Sequence, residues 1–209
     1  QAYLTAEVID PISVIEPYLQ GDEFDAVMNY NFGFVCADFL LAEKTKISTT
    51  EFDEKLAELR SAFPGGVEYV QQNLFGSHDA NRIASHAMNA DLGRYGDWGK
   101  WFGISKGDNS KYNTSKPTES ARKKQKLFAI LQMTYVGAPM IYYGDEVGMW
   151  GANDPDCRKP MVWDDMEYQP EIYNPDGSKH PVPEEVNVNH DLLNHYKKLI
   201  NIRNSHPSL

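Results

Sequence analysis

Apolar residues alternate along the chain between short unbroken runs and stretches where they recur every three or four positions, and most of the runs stop on polar, proton-handling side chains. Residues 2–8 read as a short strand ending on Glu7. Asp10 and Pro11 come next, a helix-start signal in which Asp10 can cap and Pro11 can fill the first turn. The predicted helix, with Ile12, Ile15 and Leu19 near helical spacing, breaks at Gly21, and 24–30 is a second strand. A strand-helix-strand unit implies parallel pairing. A further helix is predicted over 34–43. Ser48 and Glu51 form a capping-box pattern ahead of Phe52, Leu56, Leu59 and Phe63, whose spacing gives one buried helical face. Pro64-Gly65-Gly66 ends it.

The third apolar approach, at Leu74 and Phe75, stops on Gly76-Ser77-His78-Asp79-Ala80-Asn81-Arg82. Gly76 and Ser77 let the backbone turn and present His78 and Asp79 together at a strand's carboxyl end, where α/β sheets keep their chemistry. Residues 91–116 read as a long glycine-rich loop interspersed with Tyr95, Trp98, Trp101, Phe102 and Tyr112. Its aromatic rings either pack on one another or stack on sugar rings. Pro117 starts a strong helix through Leu127, Ile130, Leu131 and Thr134, stopped by Gly137; a fourth strand, 138–146, ends on Asp145 and Glu146. A loop over 148–183 precedes a last helix over 189–205, with Leu192, Tyr196, Leu199 and Arg203 on one side. There is no internal sequence repeat, only a repeated plan of strand, functional-looking end and helix.

Composition narrows the chemistry. At 209 residues, 41% hydrophobic and 24% charged, the chain is ordinary globular material, which excludes disordered and collagen-like classes. A formal net charge of −10, from 30 acidic against 20 basic residues, argues against a nucleic-acid partner and fits a neutral ligand such as carbohydrate. Cys36 and Cys157 match neither a CxxC motif nor a disulfide framework and read as structural thiols. No stretch approaches the ~20 apolar residues of a membrane helix, so no membrane partner is expected. No signal peptide opens the chain; the expectation is an interior piece of a longer protein, with any targeting signal upstream and the compartment unassigned.

Four βα units in succession, three with carboxylates at the strand's carboxyl end, make an α/β chain of the kind one half of a (β/α)8 TIM barrel would give; the complete fold typically needs ~250 residues. At this point the motifs resemble a family. Phe75-Gly76-Ser77-His78-Asp79-Ala80-Asn81-Arg82 is similar to the segment after the seventh barrel strand in the α-amylase family of glycoside hydrolases. The run from Gly137 to Met149 resembles its eighth strand, and Asn153-Asp154-Pro155-Asp156-Cys157-Arg158-Lys159-Pro160-Met161 resembles the loop after it in the neopullulanase, cyclomaltodextrinase and maltogenic amylase branch. Gly21 to Tyr30 resembles the stretch after the fifth strand in that branch.

The resemblance runs nearly end to end and implies the C-terminal half of the barrel, about strands 5–8, with residues 1–209 a partial catalytic barrel and the upstream half and any C-terminal β-domain absent. It makes Glu7 the general acid/base, although Ala6 and Ile9 depart from the usual surroundings of that residue. Asp79 becomes the transition-state stabiliser and His78 a ligand of the sugar at the cleavage site; Arg82, Asp154 and Arg158 complete the implied substrate-binding set. Arg82 could orient Asp79 or pair on the surface, and Asp154 with Arg158 could line the glycone end of the cleft or form a loop salt bridge. The family's nucleophile segment, Gly-x-Arg-x-Asp, is absent; Asp25, Asp145 and Glu146 do not match it. The expected function is a fragment of a retaining α-glucan hydrolase acting on starch, maltooligosaccharide, pullulan or cyclodextrin, inactive alone. Alternatives are a non-catalytic carbohydrate-binding or assembly module, or a glucan-transferring or isomerising enzyme on the same barrel. No cofactor or metal-ligand cluster is expected in this chain, and any calcium would rely on upstream segments. Half a barrel exposes sheet edges, so association with another copy or with the missing half is expected.

Overall fold

The computed structural model describes residues 2–209; Gln1 lies outside the described residues. Four short strands form a parallel sheet in chain order: β1 (Thr5–Ala6), β2 (Ala26–Asn29), β3 (Gln72–Asn73) and β4 (Ala138–Pro139). The register pairs Thr5 with Ala26, Asn29 with Asn73, and Asn73 with Pro139. Strands of two to four residues make few ladder bonds, and side-chain amides supply more. Asn29 Nδ2 donates to Asn73 Oδ1 at 2.9 Å, Val27 N–H donates to Gln71 Oε1 at 3.1 Å, and Gln132 Nε2 donates to both Asn73 O and Met140 O at 2.9 Å. Buried amides are tolerable because they are paired.

Helices connect the strands: α1 (Ile12–Ile15), α2 (Tyr30–Leu40), α3 (Thr49–Ser61), α4 (Ile83–Asn89), α5 (Trp98–Ile104), α6 (Glu119–Thr134) and α7 (His190–Ser205). α2 begins four residues earlier than the spacing predicted. β2 runs straight into it, with Asn29 as the cap accepting from Phe32 N–H at 3.2 Å. Gly33 permits close packing of α2 on the chain after β3, since a Cβ there would sit 2.4 Å from Leu74 O. α1 is capped at Pro11 and not by the Asp10 side chain. α3 keeps half of its capping box: Ser48 Oγ accepts from Glu51 N–H at 3.1 Å, while the Glu51 carboxylate faces Arg94 at 3.5 Å. Its predicted face is buried at Leu56 and Leu59, with Phe63 just beyond, and Phe52 stacks on Phe39 at 4.1 Å.

Two predicted loops hold more structure than their composition implied. Residues 91–116 contain α5, and Tyr95, Trp101 and Tyr112 are buried. Tyr95 stacks on Phe75 at 4.8 Å and Trp101 Nε1 donates to Asn81 Oδ1 at 2.8 Å. Of the two readings of these aromatics, self-packing holds for Tyr95, Trp101 and Tyr112, and each of these rings braces the segment after β3 or its neighbours; fully burying one large apolar side chain contributes about 1.5–3 kcal/mol. The loop predicted over 148–183 instead holds the antiparallel hairpin of β5 (Glu171–Tyr173) and β6 (Lys179–Glu184), which runs one residue past its end.

α6 turns Arg122, Gln125 and Gln132 inward and leaves Leu127 and Ile130 exposed. The inward side serves hydrogen bonds to the sheet and its loops, including Gln125 Nε2 to Asp145 O at 2.8 Å. α7 buries Leu192, Tyr196 and Leu199 as its spacing predicted, and Arg203 donates to Met133 O at 2.9 Å and to Tyr135 O at 3.2 Å.

Arg82 is fully buried beside Asp145. Its Nη1 donates to Asp145 Oδ1 at 3.0 Å and to Tyr143 O at 2.6 Å, and its guanidinium lies 4.7 Å and 4.8 Å from the rings of Tyr142 and Tyr143. Burial pushes the Asp145 carboxyl up to about 6 against the pull of Arg82, so the pair is ionised at neutral pH. Replacing Arg82 by Ala leaves a buried carboxylate alone and is expected to cost about 3–5 kcal/mol, read as a lower denaturant midpoint; an unchanged midpoint would contradict this account.

His86 is buried among Phe75, Tyr95 and Trp101, at ring distances of 4.5–5.0 Å. Burial, and then the nearby Lys124 charge, lower its pKa to about 3 from 6.5. A depressed histidine pKa means that stability from the neutral ring is fully present above pH 6.5 and is lost as pH falls toward 3. Denaturation of His86→Gln alongside the native chain is therefore expected to show their stability difference shifting in the variant's favour below pH 6.5, by up to about 1.4 kcal/mol per pH unit.

Candidate active site

Parallel pairing makes the carboxyl ends of all four strands face one edge. Glu7 leaves β1 there, Tyr30 leaves β2, and His78 and Asp79 come after β3 with four residues intervening. Ser77 fixes the turn, its Oγ accepting from Asp79 N–H at 3.1 Å and Ala80 N–H at 3.3 Å. The donor atoms of Glu7, His78 and Asp79 lie within 4.8 Å of one another. His78 Nδ1 is 3.9 Å from Glu7 Oε1, and its Nε2 is 3.5 Å from Asp79 Oδ2. Residues separated by about seventy positions thus meet at one point, as β1 and β3 flank β2.

The loop after β4 closes one side. Arg158 Nε donates to Asp154 Oδ1 at 2.6 Å and to His78 O at 2.8 Å, while its Nη2 donates to Asp79 Oδ1 at 3.2 Å. Asp154 and Arg158 form the loop salt bridge, one of the two roles expected of them, and that bridge borders the carboxylate cluster. Arg82 takes neither of its two expected roles. It neither orients Asp79 nor pairs on the surface, because it is committed to Asp145 in the interior and has no exposed area to offer a ligand.

Sequence reasoning missed Tyr30 and Cys157. Tyr30 is buried and its hydroxyl donates to Glu7 Oε1 at 3.0 Å, a contact made because α2 starts directly at the strand end. Its phenol pKa is pushed up, chiefly by burial, so the hydroxyl stays a donor. The Cys157 thiol donates to His78 O at 3.1 Å, and burial raises its pKa to about 11. Both cysteines are free, as expected. The signal for Tyr30 was its place at the end of a predicted strand, the same signal that singled out Glu7.

Side chains of the cluster are 38–47% exposed. Exposed ion pairs contribute about 0–1 kcal/mol, so the arrangement adds little to stability and presents two carboxylates and an imidazole to a ligand. Glu7, His78 and Asp79 each offer one ligand atom within 4.8 Å of the others, a grouping that exposed acidic side chains commonly make without an ion. Arg158 already provides Asp79 with a positive partner, so the donor set suits proton handling and hydroxyl recognition at least as well. Among the described residues, no helix is long and apolar enough to cross a membrane.

A parallel α/β sheet with acid groups gathered at its carboxyl edge defines the class of barrel enzymes that keep their chemistry on that face. The chain belongs to the α-amylase family: the model described as "Alpha amylase, catalytic domain" matches residues 1–209. Among its relatives, a cyclomaltodextrinase of Thermoanaerobacter pseudethanolicus is 35% identical over 193 residues, covering 92% of this chain and 24% of that protein. Neopullulanase 2 of Thermoactinomyces vulgaris is 33% identical over 192 residues, again 92% of this chain and 24% of its own length. A solved cyclomaltodextrinase structure is 29% identical, with a TM-score of 0.65, covering 98% of this chain and 26% of that one. The chain therefore spans about a quarter of the length of these relatives.

Proposed function

We propose that this chain is the later half, about strands 5–8, of the catalytic barrel of a retaining glycoside hydrolase acting on α-glucans such as starch, maltooligosaccharides, pullulan or cyclodextrins. The observation that carries the reading is the convergence of Glu7 and Asp79, from non-adjacent parallel strands, within reach of one sugar ring. Relatives named cyclomaltodextrinase, neopullulanase and maltogenic α-amylase support the substrate class.

In this reading Glu7, held by Tyr30, protonates the departing glycosidic oxygen and afterwards takes a proton from the attacking water. Asp79 accepts hydrogen bonds from the hydroxyls of the cleaved ring and favours its positively charged transition state. His78 fixes the same ring. The carboxylate that attacks the anomeric carbon comes from a strand outside this chain, because no residue here matches that segment. β1 and β4 each have one neighbour in the sheet, and the rest of the barrel, or a second copy, covers the open edges. For the isolated chain, the missing nucleophile favours glucan binding without turnover.

Two measurements test this reading. The purified chain is expected to release no reducing sugar from maltooligosaccharides, whereas the complete barrel does so and loses about 10²–10⁴-fold in kcat when Glu7 is replaced by Gln; turnover by the chain alone would sink the missing-nucleophile argument. In the complete enzyme, Arg158→Ala is expected to raise KM for maltooligosaccharides by roughly tenfold and to alter product lengths, since it frees Asp154, Asp79 and the His78 carbonyl at once, a loss of about 1.4 kcal/mol. Unchanged KM and products would leave Arg158 a structural role only.

A further inference from the structure

Both polar neighbours of the Glu7 carboxylate meet the same oxygen. Oε1 accepts from the Tyr30 hydroxyl at 3.0 Å and lies 3.9 Å from His78 Nδ1. Oε2 has no hydrogen-bond partner among the described residues, and the Glu7 side chain is 38% exposed. The two oxygens are therefore not equivalent. One is tied to the protein, and the other is open to a ligand.

The tie itself is rigid. Tyr30 is the first residue of α2, buried, and set directly after the Asn29 cap that accepts from Phe32 N–H. Its ring packs against Phe34 and Trp98, each centroid 6.2 Å away, and Trp98 stacks on Phe34 at 5.9 Å, so α5 backs the phenol from the side away from Glu7. Burial, ahead of the opposing pull of the Ser77 side chain, raises the Tyr30 pKa, so the hydroxyl keeps its proton. A donor that neither ionises nor swings away offers the same O–H to Oε1 whether Glu7 is an acid or a carboxylate. Such a bond is stronger to the carboxylate, because the acceptor then carries charge.

We infer that Tyr30 is a positioning residue that assigns the proton of Glu7 to Oε2 and favours its departure to the glycosidic oxygen. The inference rests on the glycosidase reading of the cluster and deepens it, since holding Glu7 by one oxygen decides which oxygen does the chemistry. The proton passes from Oε2 to the glycosidic oxygen as the bond between that oxygen and the anomeric carbon breaks, and the electron pair of the bond goes with the oxygen. The Tyr30 bond to Oε1 tightens as the carboxylate forms, so it is worth more in the transition state than before it. On the return half, water gives its oxygen to the anomeric carbon and its proton to Oε2. Tyr30 keeps its own proton throughout.

The test compares two substrates of the complete enzyme that differ in leaving group: maltotriose, whose departing sugar needs a proton, and α-maltosyl fluoride, whose fluoride departs without one. Tyr30→Phe removes the hydroxyl alone and retains the ring that packs against Phe34 and Trp98. It is expected to lower kcat on maltotriose about tenfold at unchanged KM, to lower fluoride release by less than about twofold, and to move the alkaline limb of the maltotriose pH profile upward by about one unit, because Glu7 without its donor holds its proton more tightly. Equal losses on both substrates, an unmoved limb, or full activity of the variant on maltotriose each overturn the inference while leaving Glu7 as the acid. The glycosidase reading is judged separately by Glu7→Gln: if that variant cleaves maltotriose as fast as the native enzyme, the reading falls and the role of Tyr30 falls with it.

Discussion

The buried pair of Arg82 and Asp145 holds together the two loops on which the site is built. Arg82 closes the segment that leaves β3 and carries His78 and Asp79; Asp145 opens the segment that leaves β4 and leads to Asp154 and Arg158. A backbone bond from Arg82 N–H to Gly151 O at 3.1 Å and the flanking rings of Tyr142 and Tyr143 reinforce the link. A buried pair of this sort is a poor source of net stability, because desolvating two charges offsets most of their attraction. Its contribution is to specify one arrangement, since any other leaves a charge unpaired in the interior.

With that link fixed, parallel pairing brings the segments that leave the strands to the same edge, where Tyr30 bonds Glu7 and Arg158 bonds Asp79 and the His78 carbonyl. The aromatic residues of 91–116 take a supporting position. Tyr95 donates its hydroxyl to Phe75 O at 3.1 Å and Trp101 holds Asn81, so both sides of the His78-Asp79 turn are braced from behind. Exposure of the cluster and burial of its supports divide the labour between binding and rigidity.

Amide side chains play a similar part in the sheet. Asn29, Gln71, Asn73 and Gln132 carry hydrogen bonds that strands this short do not make for themselves. Polar residues in an otherwise apolar core are costly unless satisfied, and here they set the register between β2 and β3 by pairing Asn29 with Asn73.

The sequence by itself determined the order of the four parallel strands and of α1, α2, α3, α6 and α7, the parallel pairing, the buried faces of α3 and α7, and the carboxyl-edge placement of Glu7, His78 and Asp79. Those features arise from local periodicity, caps and strand ends, which each residue expresses in its own neighbourhood. Only the tertiary structure decided that Arg82 turns inward to Asp145, that Tyr30 reaches Glu7, that α6 buries Arg122, Gln125 and Gln132 among its apolar residues, and that the aromatic segment packs against the turn. These depend on partners 20 to 63 residues away, and a charged or aromatic side chain has the same composition whether its partner is water, a sugar or a buried carboxylate. The choice among them is made by which groups the folded chain brings within hydrogen-bonding distance.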